Sequence, residues 1–358
     1  MNTPRYDIAI IGLGPAGATL ARLLEPNFTV LALDRKGDDA DRGFHKACGG
    51  LLAPDAQKSL ARFDLSLPLN VMVDPQIFSV KTIDLLSGIV RNYQRHYINL
   101  DRAAFDQWLI SLIPERVAVR KKAVCTSVER VAEGFHIQWR DKDGETSARA
   151  KYLIGADGAA SFVRKSLYPE CKIRRYTAIQ QWFADKHAGP FYSCIFDPRV
   201  TDCYAWGLTK NGHFIFGGAF EPKYALKKFT ELKNTMRSLG FVLDEPVKTE
   251  ACAVLRPEKM RDVFLGNKGV FFIGEAAGFI SPSSLEGLSY AFDSARKLAR
   301  IFNTGSGNPN RAYFLATIGL RLKLLTKIWK CPFIFSPRLR KLVMLSGFKS
   351  VAIWPEKP

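Results

Sequence analysis

The sequence predicts an α/β fold: a core of parallel strands, an antiparallel sheet inserted into it, and a helical segment at the carboxyl end. Three observations lead there. Short, largely apolar runs ending in or beside glycine occur at Tyr6–Ile11, Lys151–Gly155 and Gly269–Gly274, as in parallel strands buried on both faces. Between them lie strand-like runs around tight-turn dipeptides, as in antiparallel hairpins. Across Arg311–Lys330, apolar residues recur at spacings of three and four, as on one face of a helix.

Tyr6–Ile11 reads as a strand, Ala16–Leu24 as a helix and Thr29–Leu33 as a second strand, a βαβ opening. Thr82–Asn99 reads as an antiparallel pair around Ser87-Gly88. Phe135–Arg140 and Thr146–Ala150 flank Asp143-Gly144, and Cys203–Thr209 and His213–Ala219 flank Asn211-Gly212. Tyr224–Leu239 is helical in pattern. These elements divide the chain into a discontinuous cofactor domain (1–70, 95–170 and 260–302), an inserted substrate domain (71–94 and 171–259) and a basic helical segment (303–358).

An apolar fraction of 47% and a charged fraction of 24% belong to a globular protein and exclude a disordered one. The seven cysteines form no CxxC pair and are odd in number, so free thiols in a reducing cytoplasm are expected, with no metal site. No secretory signal and no apolar run long enough to span a membrane is apparent. The net charge is +18, and twelve Lys or Arg with no Asp or Glu lie between Ser294 and Pro355. So lopsided a field favours an anionic partner. Nucleic acid is not expected, since no recognised module accompanies the charge.

Gly12-Leu13-Gly14-Pro15-Ala16-Gly17 follows a strand and opens a helix. Gly12 permits the turn, Gly14 lets backbone approach a pyrophosphate, and Gly17 lets helix and strand pack closely. Asp34 closes the second strand, where a carboxylate accepts from an adenosine ribose. This Rossmann-type opening suits either NAD or FAD. Two later strand-to-glycine-acid turns, Gly155-Ala156-Asp157-Gly158 and Gly274-Glu275, favour the longer, extended FAD. A helix beginning near Ala277–Ser284 would aim its positive end at the flavin ring.

Here the chain resembles flavoproteins of the para-hydroxybenzoate hydroxylase fold. Within them it resembles the geranylgeranyl reductase family, most closely its bacterial CbrA-like branch. The resemblance rests on GLGPAG at 12–17, Lys46-Ala47-Cys48-Gly49-Gly50, Asp101-Arg102-x-x-Phe105-Asp106, GADG at 155–158 and GEAAGFISPSSLEG at 274–287. It implies cofactor contacts from Gly12, Gly14, Pro15, Ala16, Gly17, Asp34, Arg35, Cys48, Gly49, Arg102, Asp157, Gly158, Gly274, Glu275, Gly287 and Leu288. Two positions depart from many relatives, which have Asp at Glu275 and Pro at Ala47.

Aromatics crowd the inserted sheet, and Tyr204, Trp206, Trp182 and Phe216 are the expected pocket residues. Tyr204-x-Trp206 is similar to a Tyr-x-Trp-x-Phe-Pro stretch lining the lipid site of archaeal prenyl reductases, with Leu208 and Thr209 in place of Phe-Pro. The catalytic candidates are Cys48, flanked by Lys46 and two glycines, and Tyr204. His45 reads as solvated or structural. No second GxGxxG is present, so electrons are expected from transiently bound NAD(P)H or a protein donor.

Three functions follow: an FAD-dependent reductase of carbon–carbon double bonds in an isoprenoid or other long apolar substrate, an FAD-dependent aromatic or lipid monooxygenase, or a membrane-surface redox or binding module. The carboxyl-terminal stripe of Leu315, Ile318, Leu322, Leu325 and Trp329 has two readings. It packs on the protein's own core, or it lies with its lysines on an anionic membrane. The expected location is cytoplasmic, or peripheral on the inner membrane face.

Overall fold

A computed structural model describes residues 3–37, 46–184 and 192–354. His45 and Phe191, the latter one of the inserted sheet's aromatics, lie outside them.

The chain opens with strand β1 (Arg5–Ile11), helix α1 (Pro15–Leu23) and strand β2 (Val30–Leu33). Strand β3 (Leu51–Leu52), helix α2 (Pro54–Arg62) and the hairpin β4 (Ile77–Asp84) and β5 (Val90–Asn99) come next. Helix α3 (Arg102–Ser111) leads to β6 (Ala118–Arg120), β7 (Val124–Val131), β8 (Gly134–Asp141), β9 (Gly144–Gly155) and helix α4 (Phe162–Leu167). Strands β10 (Arg175–Ala184), β11 (Tyr192–Phe196), β12 (Ala205–Lys210) and β13 (His213–Phe220) precede helix α5 (Ala225–Ser238) and β14 (Lys248–Leu255). The chain then forms β15 (Val270–Phe272), α6 (Leu288–Asn303), α7 (Pro309–Ala316), α8 (Ile318–Phe335), α9 (Pro337–Leu345) and β16 (Ser350–Val351).

The described strands make two sheets. One runs β6-β2-β1-β9-β8-β7, with β15 beside β9. The other runs β14-β10-β13-β12-β11-β4-β5-β16, with β3 beside β5. Strand β9 shows how sequence builds the first sheet. Its amino-terminal half pairs antiparallel with β8 and is largely exposed, while Tyr152–Gly155 pairs parallel with β1 and is almost wholly buried. Thr146–Ala150 and Lys151–Gly155, expected as separate strands, are therefore one strand whose burial changes where its neighbours change. Ile8, Ile10, Leu153 and Ile154 have no exposed surface, and burying such a side chain stabilises a fold by roughly 1.5–3 kcal/mol.

Two expectations near domain limits change. Strand β5 runs past residue 94 to Asn99, and the carboxyl-terminal segment adds β16 to the second sheet through Ser350–Tyr93. The expected single helix over Arg311–Lys330 is two. Thr317 separates α7 from α8, its hydroxyl donating to the Tyr313 carbonyl at 2.9 Å, a local bond that competes with helix continuation. Among the described residues no helix is long and apolar enough to cross a membrane.

Candidate active site

Three turns converge at the carboxyl ends of the neighbouring strands β1, β9 and β15, where open α/β sheets bind ligands. In the first, Gly12 has φ +98°, and a Cβ there would sit 2.7 Å from the Ala156 carbonyl oxygen. A Cβ on Gly17 would collide with the Gly12 carbonyl oxygen. Gly14 differs: a Cβ there meets nothing within 4 Å, so the space above it faces no protein atom. Pro15 and Ala16 begin α1 directly after Gly14, and a helix amino terminus offers its unpaired N–H groups to an anion placed before it. Asp34, 4% exposed, accepts from the Leu13 N–H and, at 2.7 Å, from the Lys36 N–H. It therefore ties the end of β2 to the glycine loop. Arg35, the next residue, is exposed.

In the second turn, Asp157 accepts from the Val163 N–H at 3.1 Å with one carboxylate oxygen; the other is buried with no protein partner. Burial pushes this carboxyl above its ordinary range. Gly158 has φ +73°, and a Cβ there meets nothing within 4 Å. In the third turn, a Cβ on Gly274 (φ +56°) would lie 2.9 Å from Ala16 Cβ, which sets this turn against the first. Arg164 joins the second and third turns by donating to the Ala159 and Ala276 carbonyls. Glu275 accepts from the Leu255 N–H at 2.9 Å and forms an ion pair with Lys46.

That ion pair starts a strap, residues 46–50, laid between the three turns and the second sheet. Cys252 Sγ donates to the Ala47 carbonyl at 3.2 Å, and Lys210 Nζ to the Gly49 carbonyl at 2.8 Å. The Gly50 N–H donates to Cys48 Sγ at 3.4 Å. Burial raises the Cys48 thiol, but the Arg102 guanidinium, the Gly50 N–H, Lys46 and Lys210 together outweigh it and hold the thiol below its ordinary value. Arg102 begins α3, capped by Asp101, and is fixed by Asp106 at 2.9 Å; Lys36 holds the other Asp106 oxygen at 2.9 Å.

The second sheet turns one face toward this strap. Along β12 and the residue before it, every second side chain lies there: Tyr204, Trp206, Leu208 and Lys210. Tyr204 donates its hydroxyl proton to the Ser284 carbonyl at 2.6 Å. That bond clamps the 281–287 loop, so the Tyr204 proton already has an acceptor. Trp206 is 9% exposed, and its ring N–H is buried without a partner. Trp182 is tethered to Glu250 at 2.8 Å near the edge of the same face. Phe216 is a correction. It points to the opposite face, fully buried, stacked on Phe229 of α5 with centroids 5.9 Å apart. The period of two along β13 sends Phe216 away from the side that carries Ile215 and Gly217.

The expected helix start at Ala277–Ser284 is also corrected. Helix α6 begins at Leu288, behind Gly287. The Ser281–Leu285 stretch turns back on itself instead: Ser284 Oγ donates to Ser281 Oγ at 2.9 Å, the Ser281 N–H donates to the Glu286 carbonyl at 2.9 Å, and Leu285 takes φ +52°, a left-handed backbone that ends any helix there. Glu286 then accepts from the Ser289 N–H at 2.8 Å, placing a carboxylate at the helix amino terminus.

Sequence reasoning missed Lys210, Lys36 as the second cation on Asp106 beside Arg102, and the bond from the Ser289 N–H to Glu286. Lys210 had a signal, because it continues the alternation of Tyr204, Trp206 and Leu208. The Lys36 contact joins distant segments.

The site's features fit an extended dinucleotide. Gly14 and Gly158 leave side-chain-sized space over two of the turns, and Asp157 Oδ1 and Trp206 Nε1 are buried polar atoms awaiting partners. A family model described as an FAD binding domain matches residues 113–190. The solved structure of a geranylgeranyl bacteriochlorophyll reductase-like protein from Thermoplasma acidophilum superposes with a TM-score of 0.80 at 17% identity, over 99% of this chain and 94% of that one. PqsL of Pseudomonas aeruginosa, named a probable FAD-dependent monooxygenase, gives 0.69 at 16% identity, over 96% of this chain and 100% of that one. Protein CbrA of Escherichia coli O157:H7 is 51% identical over 97% of this chain and 98% of its own length. The homologue from Shigella flexneri serotype 5b is likewise 51% identical, over 97% of this chain and 94% of its own. With identity of that order along nearly its whole length, the chain belongs to the CbrA family, and its fold is that of the FAD-dependent oxidoreductases.

Proposed function

We propose that this protein is an FAD-dependent reductase that saturates carbon–carbon double bonds of an isoprenoid or another long apolar substrate. The observation that carries the reading is a thiol, Cys48, held by the Gly50 N–H beside Arg102 and Lys210 on the strap that Lys210 ties to the sheet face carrying Tyr204, Trp206 and Leu208. Held where the three glycine turns converge, FAD in its reduced form would supply the hydride for one carbon of the double bond. The chain supplies the rest. Trp206, Leu208 and Ile280 bind the apolar substrate and exclude water. Cys48 Sγ holds the proton for the other carbon and gives it up as a general acid. Arg102 and Lys210 stabilise the thiolate left behind. NAD(P)H or a protein donor restores the reduced cofactor.

The oxygen-using alternative draws on the likeness to PqsL. One experiment separates the two. The FAD-loaded protein, reduced anaerobically, is given geranylgeranyl and longer polyprenyl compounds and followed by mass spectrometry. A gain of two hydrogens for each saturated double bond is expected. Product formed only when air is admitted, with oxygen in it, would replace the reductase by a monooxygenase.

A further inference from the structure

We propose that the outward faces of α8 and α9 form a docking surface for an anionic lipid bilayer. The proposal does not depend on which reaction the flavin performs.

Of the 22 exposed large apolar side chains among the described residues, 13 lie between Phe314 and Trp354. On α8, Ile318, Leu322, Trp329 and Phe333 follow spacings of four, seven and four, so they form one stripe. Their exposures are 43%, 57%, 65% and 56%. The residues α8 buries are Leu320 and Leu324 instead. The stripe therefore does not pack on the protein's own core. Helix α9 packs against α8 and adds exposed Leu342 and Leu345.

Charge selects the occupant. Lys330, Arg338, Lys341 and Lys349 are exposed on the same segment, and among the described residues none has a carboxylate partner. No Asp or Glu occurs between Ser294 and Pro355. A second copy seated here would bring two strongly positive faces together without counter-charge. An anionic bilayer supplies both an apolar interior for the stripe and negative headgroups for its flanks.

The surface is fixed to the enzyme. Arg340, 4% exposed, pairs with Asp84 of β4 at 3.2 Å, and β16 pairs with β5. The end of α8 also reaches the substrate face. Ile334 and Phe335 pack against the cluster containing Tyr204 and Trp206, with Phe335 5.9 Å from Phe196. Phe333 of the stripe and Phe335 of the cluster lie two residues apart, on roughly opposite sides of α8, so the end of this one helix separates a bilayer on the stripe from the apolar cluster.

The test is co-sedimentation of the full FAD-loaded protein with vesicles of phosphatidylglycerol and phosphatidylcholine, or of phosphatidylcholine alone. Binding to the anionic vesicles is expected at low salt and should weaken as salt rises. Neutralising three charges together (K330Q, R338Q and K341Q) should weaken binding on the order of a hundred-fold. Leu322→Glu with Trp329→Glu should abolish it while flavin colour and the far-ultraviolet spectrum stay unchanged. Equal, weak binding of wild type to both vesicle types would overturn the proposal. So would a wild-type dimer that those two substitutions convert to monomer, because the stripe would then be covered by a second copy.

Discussion

The two faces of the second sheet have opposite characters. Toward α5, Phe183, Phe214, Phe216 and Phe220 close around Phe229, and the side chains are apolar and tightly packed. Toward the cofactor turns, the face holds Gln180, Lys210, Glu250 and the unpartnered Trp206 ring N–H. Buried polar groups cost stability unless they are paired. The first face is a finished core. The second carries groups that a ligand would complete, and its chemistry is stored at some cost to the fold.

The largest effect should come from breaking the finished face. Phe229→Ala should destabilise the protein by about 3–5 kcal/mol, by lost burial and a residual cavity. Urea unfolding measures it, and each remaining folded molecule should still bind FAD. A loss of flavin with little loss of stability would erase the distinction between the faces.

Next is Lys210. Burial lowers its ammonium to about 8, whereas in the unfolded chain it titrates near 10.4. Below about pH 8 both states hold the proton and the cost of burying charge is present in full. Between about 8 and 10.4 only the unfolded state holds it, so stability rises with pH, by up to about 3 kcal/mol. Lys210→Met should remove that rise in unfolding experiments at about pH 7 and about pH 10. Parallel profiles for the two proteins would place the charge in water.

A smaller effect concerns Cys48. Its alkylation rate should reach half-maximum below the ordinary thiol value of about 8.5. Arg102→Gln should move that midpoint upward, since Arg102 is the strongest influence lowering it. An unmoved midpoint would remove Arg102 from the thiol's surroundings. Smallest in stability is Trp206→Phe, at about 1 kcal/mol or less, because lost packing is offset by removing an orphaned donor. Substrate affinity should fall all the same. A large loss of stability with unchanged affinity would make Trp206 ordinary core.

Much was legible in the sequence because it is local. Glycine turns, hairpin dipeptides and the period of buried strands are set by steric limits within a few residues, so GLGPAG, GADG and the Asn211-Gly212 hairpin could be read directly. The same period carried Tyr204 and Trp206 to the site face. Tertiary structure decided which side of a strand or helix meets the protein. Phe216 and Trp206 are both aromatic residues of one sheet, yet only the placement of α5 sends Phe216 to the core and leaves Trp206 toward the flavin turns. Likewise the α8 stripe had a helical period in sequence, and only the packing of Leu320 and Leu324 turned its other side outward. Amphipathic patterning tells that a face will be buried; which partner buries it depends on residues far away in the chain.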